Sequence, residues 1–165
     1  MTDFAYKTLT EDDAEAWRAL RIEGARDFPL GFLVTLEETE RNSVERCAEI
    51  LRFGALRGVF AADTLVGFCG YRPQRLSRAR HRGEIGPFFV TAAFQGTGAA
   101  QALMDGVLRE ARDGGLERIE LYVDSENARA LAFYARQGFA RVATFHDTVR
   151  IDGVPRHDHF MTLAL

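Results

Sequence analysis

Two clusters of residues have types and spacing suited to chemistry. The first is Phe94-Gln95-Gly96-Thr97-Gly98-Ala99-Ala100, which follows an apolar run, Pro87-Phe88-Phe89-Val90, and leads into a helical pattern at Gln101-Ala102-Leu103-Met104. Glycines and small residues at a strand-to-helix junction leave backbone N–H groups uncovered. The helix adds the positive end of its dipole, and together these suit a pyrophosphate. The second cluster, Asn127 through Phe133-Tyr134 to Gln137-Gly138-Phe139, comes one strand later. Asn127, Leu131 and Tyr134 fall at i, i+4 and i+7, on one face of a helix. That face carries an amide that can bind a ligand and a phenol that can donate a proton. The plain alternatives are a helix cap for Asn127 and core packing beside Phe133 for Tyr134.

Other phosphate-binding patterns fail on sequence. A P-loop needs Gly-Lys-Ser/Thr, and Lys7, the only lysine, is far from the glycines. A dinucleotide fingerprint needs a third glycine where Gln101 stands. His157-Asp158-His159 puts two histidines on one strand face, but a third ligand is not evident and no metal is expected. Arg72, Arg75, Arg78, Arg80 and Arg82 form an arginine-rich stretch that could steer an anion or simply be solvated.

The elements that must position these clusters follow from periodicity. Phe4 to Leu9 alternates like an edge strand. Thr10 caps a helix carrying Ala14, Trp17, Leu20 and Arg21 at helical spacing, and periodicity fails around Phe28–Phe32. A second helix is read over Ser43–Arg52, with Val44, Cys47, Ile50 and Leu51 inward. Gly58–Ala62 and Val66–Tyr71 read as a hairpin closed by Asp63-Thr64, followed by an arginine-rich loop from Pro73 to Arg82. Then come a strand, Glu84–Val90, a helix, Gly98–Asp113, a strand, Ile119–Val123, and a helix, Asn127–Gln137. Two antiparallel strands, Phe139–Val149 and Pro155–Leu165, turn through Asp152-Gly153. This order implies an α/β chain with a mixed sheet and helices on both faces. Gly86-Pro87 interrupts a strand that should be central, which marks a bulge or an edge.

At 165 residues and 47% hydrophobic, the chain is expected to form one domain, residues 1–165, with a substantial core. No apolar run is as long as a membrane span, and Met1-Thr2-Asp3-Phe4 does not read as a signal peptide. A net charge of −3 argues against a dedicated nucleic-acid binder. Cys47 and Cys69 have no metal-ligand spacing and read as reduced and buried, so a cytoplasmic location is expected.

The element order and the two motifs resemble the GCN5-related N-acetyltransferase (GNAT) superfamily over nearly the whole chain, most strongly from Glu84 to Phe139. Gln95-Gly96-Thr97-Gly98-Ala99-Ala100 matches the family's Gln/Arg-x-x-Gly-x-Gly/Ala signature for the coenzyme A pyrophosphate, with Gln95 where arginine is commonest and Ala100 at the last small position. The resemblance implies the acyl-CoA N-acyltransferase fold, a mostly antiparallel sheet whose middle strands splay at Gly86-Pro87. The pantetheine arm would pair there with Phe88, Phe89 and Val90. It implies acetyl-CoA as cosubstrate and acetyl transfer to a primary amine, expected to be a small molecule. It also implies contact of Asn127 with the pantetheine arm, protonation of the departing thiolate by Tyr134 and an oxyanion contact from the Val90 N–H. Glu84 stands six residues before Val90, where some members carry a general base. Its plain alternative is an ion pair with Arg80 or Arg82. The acceptor side is expected in residues 21–40 and 146–159, with Phe28 and Phe32 as an apolar slot and Asp27, Glu37 and Glu38 drawing an ammonium. A homodimer is expected from the resemblance. The alternatives in other classes are a coenzyme A-binding regulator without turnover and an interaction protein on the same fold; protein N-termini or lysines are the alternative acceptors.

Overall fold

A computed structural model describes residues 3–165. Seven strands form one sheet in the order β1-β2-β3-β4-β5-β7-β6. The strands are β1 (Phe4–Thr8), β2 (Leu56–Ala61), β3 (Thr64–Pro73), β4 (Arg82–Val90), β5 (Arg118–Asp124), β6 (Ala140–Ile151) and β7 (Val154–Ala164). Every pairing is antiparallel except β4 with β5. The helices are α1 (Ala14–Asp27), α2 (Leu36–Glu40), α3 (Val44–Leu51), α4 (Ala99–Asp113) and α5 (Ala128–Arg136). The mixed sheet is as the element order implies, and its mostly antiparallel pairing is as the family resemblance implies.

Alternation along the strands fills two cores. Val59, Val66, Cys69, Ile85, Ile119 and Leu121 face α4 and α5, meeting Leu103, Met104, Val107 and Tyr134. Phe60, Leu65, Phe68 and Phe89 face the other way, meeting Trp17 and Leu20 of α1 and Cys47 and Leu51 of α3. Both cysteines are free and buried. Val44, expected inward, is exposed, because it stands at the first position of α3, away from Cys47 and Leu51, the residues of that helix buried in the core. The short α2 was not expected; Thr35 and Glu38 close a capping box at its start. Thr10 opens a single 3-10 turn, Glu11–Asp13, before α1 begins. Tyr6 reaches across to α4, donating to Glu110 at 2.5 Å, while Arg57 grips the same carboxylate at 2.7 and 2.8 Å. Gly106 leaves the room: a Cβ there would lie 2.3 Å from the Tyr6 ring. This network fixes α4 on the sheet.

The sheet opens in the middle. The β4–β5 ladder holds only at Arg82↔Arg118, Gly83↔Ile119 and Glu84↔Glu120. Just beyond, Gly86 and Pro87 together oppose Gly70 of β3, between the pairs Cys69↔Phe88 and Tyr71↔Ile85. This is a bulge, which bends β4 away from β5. Gly70 is required for it, since a Cβ there would lie 2.2 Å from the Gly86 carbonyl oxygen.

Candidate functional site

A cleft of about 370 Å³ lies where the strands part. It runs from the start of α4, past the end of β4, to the loop after α1. Of the residues singled out from sequence it brings together Phe88, Phe89, Val90, Gln95, Gly96, Gly98, Ala100, Asn127 and Tyr134. Thr97 and Ala99 do not line it: Thr97 hydrogen-bonds back to Phe94, and Ala99 is buried in the core.

At one end the backbone is arranged for an anion. Gly96 and Gly98 have φ of +78° and +99°, a conformation that side-chain-bearing residues rarely adopt. The first hydrogen bond of α4 runs from Ala102 N–H to Gly98 O, so the N–H groups of Ala99, Ala100 and Gln101 have no partner within the helix. Arg129 and Arg136, one face of α5 apart by seven positions, add positive charge to the same cleft. Neither was singled out from sequence, and the signal that could have found them is their i, i+7 relation to each other. Gln101 and Gln137 exchange hydrogen bonds at 3.0 and 2.7 Å, joining α4 to the end of α5.

The end of β4 presents backbone to the gap. Thr91 N–H bonds to Val66 O at 2.9 Å. N–H groups alternate in direction along an antiparallel strand, so the Val90 N–H points away from β3, into the opening. The Val90 carbonyl accepts from Gln95 Nε2 at 2.9 Å, and Gln95 Oε1 accepts from Arg129.

The wall facing this strand comes from α5. Asn127 caps the helix, its Oδ1 accepting from Ala130 N–H at 3.2 Å; its NH₂ group has no partner among the described residues. Capping and ligand contact are therefore compatible. Ala130 and Phe133 line the cleft, whereas Leu131 turns into the core. Tyr134 packs edge-on against Phe88 and Phe139. It is 8% exposed. Burial, with the nearby Cys69 thiol, raises the phenol above its ordinary range, so it stays protonated at neutral pH. Burial also pushes the Cys69 thiol up to about 12.

Glu84 lies just before the bulge. Ile85 packs into the α4 core, so Glu84 faces the α1 side, with Phe89. Its carboxylate does not line the cleft. It pairs with Arg72 at 2.6 Å, and the same guanidinium donates to Gly86 O at 2.8 Å. The partner is thus Arg72, not Arg80 or Arg82, because register places Arg72 directly across β3–β4 while Arg82 reaches Glu120. Phe28 and Phe32 close the far end of the cleft, within 5.6 Å of the Phe89 ring between centroids. The three carboxylates expected to draw an ammonium are engaged elsewhere: Asp27 with Arg26, Glu37 with Arg41, and Glu38 in its capping box. His157 and His159 bond to Asp147 N–H and Thr144 of β6, and no metal-binding cluster occurs among the described residues.

Comparison with known proteins supplies a context for this arrangement. The profile described as the acetyltransferase (GNAT) family matches residues 13–139. A mycothiol acetyltransferase from Parafrankia sp. is 34% identical over 79% of the chain and 44% of its own length. One from Salinispora tropica is 33% identical over 83% of the chain and 44% of its own length. The chain thus spans somewhat under half the length of these relatives. Among solved structures, a GNAT-family acetyltransferase from Streptococcus pneumoniae superposes with a TM-score of 0.86 at 16% identity, with 99% of each chain covered. The yncA structure from Salmonella typhimurium, solved with its cofactor acetyl-CoA, gives 0.78 at 18% identity over 98% of this chain and 94% of that one. Both share the fold. No helix among the described residues is long and apolar enough to cross a membrane.

Proposed function

The chain belongs to the acetyltransferase (GNAT) family, and from that premise we propose that it transfers an acetyl group from acetyl-CoA to a primary amine of a small molecule, by direct attack on the thioester. One observation carries this reading: a single cleft joins the anion cradle of α4, the outward-facing backbone of β4 and the Tyr134 phenol.

The residues present fit acetyl-CoA. The unpartnered N–H groups at the start of α4, with Arg129 and Arg136, suit its phosphates. The unpaired edge of Phe88–Val90 and the free amide of Asn127 suit the pantetheine arm. Acetyl-CoA supplies the activated acetyl group and a thiolate that can leave. The Val90 N–H donates to the carbonyl oxygen as charge develops on it; removal of one such donor typically costs about 3 kcal/mol. Tyr134 delivers its proton to the leaving sulfur and is reprotonated, through water, by the second proton that the attacking nitrogen sheds as the amide forms. Cys47 and Cys69 are both buried and neither lines the cleft, which supports direct transfer over a cysteine-bound acetyl group.

The acceptor enters from the α1 side, between Phe28, Phe32 and Phe89. An alkylammonium, with a pKa of about 10, must lose a proton before it attacks. Glu84 faces this side and takes that proton through water, held in place by Arg72. The relatives' name, mycothiol acetyltransferase, is in keeping with a small-molecule acceptor.

Thiol release from acetyl-CoA, followed across a panel of small amines, tests the reading. Release that needs both acetyl-CoA and amine is expected, with Glu84→Gln lowering it about 10²-fold. Tight acetyl-CoA binding without release for any amine would instead support a coenzyme A-binding protein lacking turnover.

A further inference from the structure

Glu23 lies on α1, yet its carboxylate is committed to the segment that follows β4. The Thr91 hydroxyl donates to it, 2.9 Å from both oxygens, and the Ala92 N–H donates to Oε1 at 2.9 Å. Thr91 and Ala92 are the first residues after Val90. They open the 3-10 turn Ala92–Phe94 that hands the chain on to Gln95 and the anion cradle. A carboxylate accepting an N–H at the start of such a turn is a strong, charge-assisted cap. Val90 is therefore held from two directions: Gln95 holds its carbonyl, and Glu23 holds the next two residues.

The same stretch of α1 builds the acceptor side. Gly24 is flush with the Phe32 ring, where a Cβ would come within 2.2 Å. Phe28 follows directly after α1, and both rings pack on Phe89. One turn of helix thus touches both the acceptor wall and the end of β4.

We infer that Glu23 is a positioning residue, a clamp from α1 that fixes the Thr91–Ala92 turn and so the direction of the Val90 N–H into the gap. It touches neither substrate and acts through Thr91 and Ala92. The inference rests on the acetyl-transfer reading for its catalytic consequence, but the clamp itself is a property of the ligand-free chain.

Two measurements test it. In ligand-free protein, Glu23→Ala is expected to speed amide exchange at residues 91–95 about tenfold or more, while protection in β5–β7 stays as in the unchanged chain. Unaltered exchange at 91–95 would overturn the clamp, whatever the protein's activity. In turnover, Glu23→Ala and Thr91→Val are each expected to lower kcat about 10–100-fold with a clearly smaller rise in the Kd for coenzyme A, and Thr91→Ser to restore kcat. An undiminished kcat, or equal losses in kcat and coenzyme A binding, would overturn the positioning role. If Glu23→Ala does not fold, the Thr91→Val and Thr91→Ser pair decides both measurements. Absence of thiol release by the unchanged chain would count against the acetyl-transfer reading, and the exchange experiment would still decide the clamp.

Discussion

The side-chain amide of Gln95 donates to the carbonyl of Val90 at 2.9 Å. This bond closes a short loop between the end of β4 and the start of the anion cradle. The anion cradle and the outward-facing backbone at the end of β4 are thereby built as one unit. Arg129 extends the unit to α5 through the other end of the same amide. The family signature admits glutamine or arginine here, and in this chain glutamine can satisfy a carbonyl and a guanidinium together.

In the proposed transfer, Tyr134 carries the proton for the leaving group. Tyr134→Phe retains the packing against Phe88 and Phe139 and removes only the hydroxyl. It is expected to lower kcat about 10²–10⁴-fold while acetyl-CoA binds as before. Steady-state thiol release with a titration of acetyl-CoA separates the two quantities.

In the proposed binding of acetyl-CoA, Arg129 supplies charge rather than chemistry. Arg129→Gln is expected to raise the Kd for acetyl-CoA about tenfold, roughly 1.4 kcal/mol, with little change in kcat. The variant should also show a weaker dependence of binding on salt, because the proposed charge-to-phosphate contact is gone. Calorimetric titration at two ionic strengths checks both.

The bulge that parts β4 from β5 depends on Gly70. Gly70→Ala sets a methyl group against the Gly86 backbone carbonyl, which cannot rotate away. Overpacking of this kind costs about 1–3 kcal/mol. A lower melting temperature is expected together with weaker acetyl-CoA binding, since the strand must shift at the cleft.

The Tyr6–Glu110–Arg57 network makes stability depend on acid. The hydrogen bond from Arg57, aided by Tyr6, holds the Glu110 carboxyl below its ordinary range despite partial burial. A carboxyl depressed in the folded state stabilises the fold above its unfolded pKa, about 4.3, and that contribution disappears as pH falls through the lower folded value. Glu110→Gln leaves Arg57 buried without a counter-charge. Because Glu110 is one-third exposed, the expected loss at pH 7 is about 2 kcal/mol, less than for a fully buried pair. Melts from pH 7 down to pH 3 should show the variant and the unchanged chain converging in acid.

Much of this architecture is legible in the sequence for local reasons. Gly96 and Gly98 announce a backbone that a strand-to-helix turn needs, and Gly86-Pro87 announces a break in a ladder. What was not legible depends on rotation and register. Whether Ala130 or Leu131 meets the cleft is a matter of one helical step, which spacing from Asn127 and Tyr134 does not resolve. Arginine is nearly the only basic residue in the chain, so Arg129 and Arg136 do not stand out until α5 is oriented. The partner of Glu84 follows from the β3–β4 register across a bulge, and sequence proximity pointed to Arg80 and Arg82 instead. Val44 continues the apolar spacing of Cys47 and Leu51 yet lies in the first, exposed turn of α3, which spacing alone does not distinguish. The helix α2 is five residues long, too short for periodicity, although its Thr35/Glu38 capping box was present to be read.

The most direct test of the central claim is a thermal melt with and without acetyl-CoA, with ATP and NAD as controls. A ligand at 100 times its Kd stabilises by about 2.7 kcal/mol, a shift of several degrees for a chain of this size. The cleft described here predicts that shift with acetyl-CoA and not with ATP or NAD. An unchanged melting temperature at saturating acetyl-CoA would contradict the cradle at Gln95–Ala100, and with it the proposed acetyl transfer.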